Sequence, residues 1–396
     1  MRYVYIDNNA TTPCDGSVIN AMMPFFRERF GNPASPHGMG KEAFAACSDA
    51  RERVAYLLGC TPSEIIFTSG ATESNNMVLL GINPQSTRRR RIVTSRIEHK
   101  SILMPCREMQ SQGFDVHEIK VTADGEVDLN VAAELIDDNT ALVSVQAANN
   151  ETGVLQPIHQ LVEMANSRGA LFHCDAAQWI GKLTIPEWFD RCDFLSISGH
   201  KFYGPKGIGA LMVRNGAPRR FMAPIIFGGG QENGLRSGTS NVPSIVGLGV
   251  ACSIVRERVV RDEVELEMLR NSFEMAVTTA IPIARVNGAN VRRLPNSCSL
   301  TIPGIPALML IANLKQICIG EGSACASGAA EPPYVLVAMG LSREDADSTL
   351  RISFGRENTI QDATDASQSI GEVVSYLQEA CSELHGEANI ALGVKG

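Results

Sequence analysis

Between residues 64 and 214, short apolar runs recur at intervals that leave room for a helix between most neighbours, and no other feature of the chain constrains its fold as tightly. The runs fall at 64–67, 91–94, 115–119, 141–145, 171–175, 194–197 and 209–213. The stretches between them have helical character, for example 101–112 and 157–168. Strands joined through crossover helices predict an α/β fold with a doubly wound, mainly parallel sheet. In such sheets ligands gather at loops beyond the carboxyl ends of the strands, so those loops are where chemistry is to be sought. After about residue 245 the pattern changes to a long helix near 246–280, a strand at 297–302, a helix at 307–314, a strand at 350–354 and a closing helix over 360–382. That change predicts a second, smaller α+β domain. Residues 16–257 are assigned to the large domain, and residues 1–15 with 258–396 to the small one.

Bulk properties narrow the function classes. A net charge of −8 argues against a general nucleic-acid surface. The basic cluster Arg88-Arg89-Arg90-Arg91 stands at the entrance of a strand and reads as solvated. No apolar run approaches the ~18 residues of a membrane span, and Tyr3-Val4-Tyr5-Ile6 at the start reads as a strand rather than a secretory signal. A cytoplasmic location is therefore expected, with no membrane partner. The 11 cysteines lack CxxC pairs or regular spacing, which suits reduced thiols better than a disulfide framework.

Several strand ends carry residues with chemical potential. Lys201, in Ser198-Gly199-His200-Lys201, follows the run at 194–197. A lysine buried there can have its amine made nucleophilic, as Schiff-base chemistry with pyridoxal phosphate requires, or can merely cap the sheet. Thr68-Ser69-Gly70-Ala71-Thr72 opens a helix with small residues, which suits either a phosphate cradle or a plain N-cap by Ser69 or Thr72. Asp175 ends another strand, where a carboxylate can keep a pyridine nitrogen protonated or cap a helix. Alternation puts His173 and Asp175 on one face and Cys174 on the other, against a metal cluster. His99 stands where a strand gives way to a helix and can face the same cleft or serve the structure. Asn149-Asn150-Glu151-Thr152-Gly153 reads as a turn or as an amide reaching a cofactor oxygen. Cys325 lies among glycine, serine and alanine, a setting for an accessible, reactive thiol, although most free cysteines are buried hydrophobes.

Taken together, these segments resemble the cysteine desulfurases of the NifS/IscS-like group, within the class V pyridoxal-phosphate-dependent aminotransferases. The resemblance runs in order through Asp7-Asn8-Asn9-Ala10-Thr11-Thr12, Gly31-Asn32-Pro33, Thr68 to Asn76, Glu98-His99, Asn149 to Gly153, Asp175 to Gln178, Ser198 to Gly207, Arg236-Ser237-Gly238-Thr239, Ser323-Ala324-Cys325 and Arg351 to Arg356. It implies the aspartate aminotransferase-like fold, with the large domain binding the cofactor and the small one carrying the cysteine loop. It implies that Lys201 bonds covalently to pyridoxal 5'-phosphate, that Asp175 pairs with the ring nitrogen and that His99 stacks on the ring. Asn150 and Gln178 would contact the phenolic-oxygen side, while Ala71, Thr72, Ser198 and His200 hold the phosphate. By the same analogy Thr239 reaches the phosphate of a neighbouring subunit in a homodimer, and Arg351, assisted by Asn32, clamps the substrate carboxylate. Cys325 would take sulfur from L-cysteine as a persulfide, leave L-alanine, and pass the sulfur to an acceptor or iron–sulfur scaffold protein. No metal ligand set is implied, apart from an iron–sulfur contact at Cys325 during delivery. The sequence departs from the family pattern at Gly320-Glu321-Gly322, where serines are frequent, and at Ile305-Pro306-Ala307, where Glu-Gly-Glu or similar is frequent.

Overall fold

The computed structural model describes residues 2–82, 87–321 and 333–391, with side chains described as far as 380. Residues 83–86, the segment holding Cys325 and the last five residues lie outside that range.

A short first strand, β1 (Val4–Tyr5), precedes the seven strands of the main sheet. These are β2 (Ile65–Thr68), β3 (Arg91–Ser95), β4 (Asp115–Ile119), β5 (Thr140–Gln146), β6 (Leu171–Asp175), β7 (Phe194–Ser198) and β8 (Gly209–Val213). Every apolar run read from the sequence becomes one of them, each end within one residue of the expected position. The order across the sheet is β2-β8-β7-β6-β5-β3-β4. Neighbours run parallel except at β8, which is antiparallel to both β2 and β7. The reversal has a simple cause: only residues 199–208 separate β7 from β8, too few for a parallel crossover through a helix.

Alternation along the strands feeds two cores, one on each face of the sheet. Leu195, Ile197, Ala210 and Met212 point to the face covered by helices Gly38–Leu58 and Val242–Ala280, against Val54, Leu58, Leu248 and Val255. Phe194, Leu211 and Val213 point the other way, toward Met77, Val78, Ile102 and Met109 of helices Ala71–Leu80 and Lys100–Ser111. With both faces covered, β5, β7 and β8 are buried at every position, which explains why they read as continuous apolar runs.

The remaining strands are β9 (Arg285–Val286), β10 (Ser297–Thr301), β11 (Ile317–Cys318), β12 (Gly320–Glu321) and β13 (Thr349–Ser353). Four of them form an antiparallel sheet in the order β12-β13-β10-β9, while β11 pairs in parallel with β1. A separate core forms here from Leu300, Ile352 and Phe354 with Leu266, Phe273 and Val277, and with Ala363, Ile370 and Val374 of the closing helix Ile360–Ala391. Helix Val242–Ala280 thus serves both cores, giving residues up to Val259 to the first and from Leu266 onward to the second. It begins four residues before the expected position, because Asn241 caps it through Ser244 N–H and Pro243 suits its first turn. Among the described residues no helix is long and apolar enough to cross a membrane.

Candidate active site

The carboxyl ends of β2, β3, β5, β6 and β7 and the residues just ahead of the reversed β8 converge on one cavity of about 580 Å³. Lys201 ends the short turn Gly199–Lys201 that follows β7. Its Nζ donates to the carbonyls of Asn9 at 2.6 Å and Ala10 at 2.9 Å. The segment that supplies those carbonyls is tied down in turn, since Thr12 donates through its N–H and its hydroxyl to the His200 carbonyl. Tyr203, two residues beyond Lys201, adopts φ +66°, an unusual conformation for a bulky side chain. Its N–H donates to Thr12 Oγ1 and its hydroxyl accepts from Arg356 N–H, which together hold the turn in place.

A hydrogen-bonded chain links the acidic and basic groups. Asp175 Oδ2 accepts from Asn75 Nδ2 at 2.7 Å, and Oδ1 accepts from Ala177 N–H, so this carboxylate also closes its own turn. Asn75 Nδ2 donates as well to Ser101 Oγ at 2.8 Å, and that hydroxyl lies 2.8 Å from His99 Nδ1. Because His99 Nδ1 also accepts from Ser101 N–H, the neutral ring carries its proton on Nε2. Burial holds the His99 pKa below its ordinary range, with Asp175 pulling it upward and Lys201 and Lys100 downward. His200 is pushed down to about 4 by burial and by Lys201, Lys206 and Lys182, which leaves it neutral near pH 7. Below the sheet ends, His173 has both ring nitrogens engaged by the hydroxyls of Ser144 and Ser196 and takes no part in the cavity wall.

Arg351, on β13, enters the cavity from the small sheet. It is 2% exposed, its Nη2 lies 2.8 Å from Asp7 Oδ1, and its Nε has no hydrogen-bond partner. A guanidinium held at one end and unpaired at another suits a planar carboxylate. The opposite wall is the start of helix Ala71–Leu80. Its N-cap is Gly70 and not the Ser69 or Thr72 considered from sequence, and no side chain caps the helix. The first-turn N–H groups therefore face the cavity beside Ser198 and His200, as an anion cradle requires.

Comparison with known proteins agrees with this geometry. The family model described as "Aminotransferase class-V" matches residues 4–365. The chain belongs to the class-V aminotransferase family. The cysteine desulfurase IscS of Rickettsia felis is 41% identical over 378 residues, spanning 95% of this chain and 92% of that one. Among solved structures, one titled "NIFS-LIKE PROTEIN" superposes with a TM-score of 0.88 at 38% identity, covering 95% of this chain and all of the other. Another, titled "SspA in complex with cysteine", gives a TM-score of 0.77 at 37% identity, over 88% and 98% of the two chains.

This class-V chain is an enzyme that depends on pyridoxal 5'-phosphate, and its cavity fits that group. An uncapped helix N-terminus with Ser198 and His200 suits a phosphate, the Asp175 carboxylate suits a ring nitrogen, and the Lys201 amine suits the aldehyde carbon. One buried amide oxygen of the cavity wall, Asn150 Oδ1, has no hydrogen-bond partner, as expected of a site shaped for a polar guest. Of the residues singled out from sequence, Lys201, His99, Ala71, Thr72, Asn150, Asp175, Gln178, Ser198, His200 and Arg351 all line the cavity. Thr239 is exposed and outside the wall, Asn32 is exposed with its Oδ1 accepting from Ala34 N–H, and Cys325 lies outside the described residues. Sequence reasoning passed over Asn75, Ser101, Gln146 and Lys182. Asn75 was within the quoted helix-opening motif, and the polar run around it was the signal that could have found it.

Proposed function

We propose that this chain is a cysteine desulfurase that converts L-cysteine to L-alanine and transfers the sulfur to Cys325. The observation that carries the reading is the meeting of an amine, a carboxylate, an imidazole and a buried guanidinium, from Lys201, Asp175, His99 and Arg351, in one cavity with an anion cradle. The cysteine desulfurase relatives at 41% identity supply the reaction class. When bound, pyridoxal phosphate supplies an electron sink that labilises bonds at the α- and β-carbons of an amino acid. Ala71, Thr72, Ser198 and His200 would hold the phosphate, Asp175 would keep a proton on the ring nitrogen, and Asn150 and Gln178 would direct their amides at the phenolic oxygen. His99 would lie against the ring, with its imidazole placed to exchange protons with the substrate. Arg351 clamps the substrate carboxylate, while Asn32 has no part in the cavity. Lys201 would hold the cofactor through its amine and would be placed to move the proton at the substrate α-carbon.

The Cys325 thiolate attacks the substrate sulfur. The Cβ–S bond breaks, an S–S bond forms, and the electron pair left at Cβ takes a proton to complete alanine. One L-cysteine and one thiol thus give one L-alanine and one persulfide, and an acceptor protein regenerates the thiol by taking the outer sulfur. Iron–sulfur cluster assembly or another sulfur-insertion pathway is the destination. The working unit is a cytoplasmic homodimer in which Thr239 completes the partner's phosphate site, consistent with its exposed position here. Alanine release from L-cysteine, followed with and without a sulfur-accepting thiol, tests the assignment. The wild-type chain should release alanine, and Cys325→Ala should keep cofactor binding but release none. Sulfide and alanine production by Cys325→Ala at the wild-type rate would sink the persulfide route.

A further inference from the structure

Lys182 is 3% exposed, and burying an amine is costly unless something in the protein uses it. Both of its hydrogen-bond acceptors belong to a single residue of the cavity wall. Its Nζ donates to Gln178 Oε1 at 2.6 Å and to the Gln178 carbonyl at 3.3 Å. The turn that brings residue 182 back beneath residue 178 depends on Gly181, which adopts φ +81° and lies so close to Phe202 that a Cβ would sit 2.4 Å from the phenylalanine's. Phe202 directly follows Lys201, so the two lysine-bearing segments are packed against one another.

We propose that Lys182 is a positioning residue: its buried amine holds the Gln178 carboxamide with the oxygen turned away from the cavity and an N–H turned toward it. The two ends of a carboxamide are nearly the same size, so only their partners decide which faces where. Gln178 Nε2 donates one hydrogen to the Asn9 carbonyl at 3.0 Å, which leaves its second hydrogen for the cavity that Gln178 lines. Lys182 satisfies the opposite end. An ammonium offers three donors and a neutral amine two, so the arrangement holds in either charge state. Burial, with Lys201 and Arg351 nearby, lowers the Lys182 pKa well below the usual lysine range, and the neutral form still covers both acceptors. Without Lys182, Gln178 Oε1 becomes a buried acceptor with no donor. The amide then swings to find one, and an oxygen turned into the cavity repels the electron-rich ring oxygen that a donor would bind.

The inference rests on the reading of Gln178 as a ligand of the cofactor's phenolic oxygen, and cofactor binding by the apo-chain tests it without reference to desulfuration. Apo-protein of the wild type, Lys182→Met, Gln178→Ala and the double variant is titrated with pyridoxal phosphate, following the visible absorbance band. Lys182→Met should weaken binding about tenfold and shift the band, the loss of one directed hydrogen bond. In the Gln178→Ala background the same change should alter affinity by no more than about twofold, because Lys182 acts through Gln178. Lys182→Arg, which keeps a donor, should recover wild-type affinity to within about threefold, and it decides the matter if the methionine variant does not fold. Wild-type affinity and band position in Lys182→Met, losses that multiply in the double variant, or a tenfold loss in Lys182→Arg would each overturn the proposal. Failure of the wild-type chain to bind pyridoxal phosphate would instead overturn the functional reading above.

Discussion

Glu151 offers a direct test of how burial shapes this site, through the substitution Glu151→Gln. The residue follows Asn150 at the cavity, is buried, and has one carboxylate oxygen, Oε2, without a partner. Burial pushes its pKa from 4.5 up to about 8, while Arg351 and Lys100 pull it back only in part. The folded value lies above the unfolded one, so the stability that neutral Glu151 contributes is fully present below pH 4.5 and is lost as pH rises through 8. At about 1.4 kcal/mol per pKa unit, the loss is about 1 kcal/mol at pH 5, about 3 at pH 7 and about 5 at pH 9. Glutamine has nearly the same shape and does not titrate. The stability gap between variant and wild type should therefore widen by about 4 kcal/mol from pH 5 to pH 9. With an unfolding entropy of ~2 cal/mol/K per residue, that is a gain of about 5 °C in the relative melting temperature. Thermal melts of the two proteins across this pH range measure the gap. A difference in melting temperature that is the same at pH 5 and pH 9 would refute the reasoning. Glu98→Gln is the contrast: its pKa is also pushed up to about 8 by burial, yet both its oxygens accept from Gln146 N–H. An amide nitrogen placed against that donor cancels part of the gain, so this variant should benefit less at high pH.

Other substitutions probe the chemistry. Lys201→Ala should lose the wild-type absorbance band of bound cofactor, whereas Lys206→Ala should keep it, as spectra of the reconstituted proteins will show. Arg351→Lys should raise KM for L-cysteine roughly 10- to 100-fold, since a point charge replaces a planar two-pronged donor, with the cofactor spectrum unchanged. His99→Gln should remove the acid limb of the kcat/KM profile. In the wild type that limb should have its midpoint below 6.5, because burial holds the imidazole pKa down and protonation is completed only at lower pH.

The strands and site loops were legible because both follow from short-range pattern: apolar runs mark strands, and small or polar residues directly after them mark the ligand-binding end. The reversal of β8 could have been read from the ten residues that separate it from β7, and was missed because apolar content alone carries no strand direction. Asn9 and Ala10 were quoted only within a motif, and their role was hidden, because the carbonyls that receive Lys201 act across about 190 residues of chain. Gly320, a departure from the family pattern, has a structural cause visible only in three dimensions. A Cβ there would sit 2.8 Å from Asp7 Oδ1 and 2.9 Å from Arg351 Nη2, within the ion pair that orients the guanidinium.

Three lysines meet in this region, and their surroundings divide the work. Lys206 is exposed to solvent beside Gly207, although it too borders the cavity. Lys182 is buried and directed wholly at Gln178, so its nitrogen faces a side chain and not the cavity. Lys201 alone lines the cavity while being held by backbone carbonyls, which fix its position but leave a nitrogen that can exchange those neutral acceptors for another partner. Covalent chemistry needs that combination of fixed approach and a replaceable partner. Neither a fully satisfied buried amine nor a solvated surface amine provides it, and the assignment of the nucleophile to Lys201 therefore rests on environment and not on sequence position.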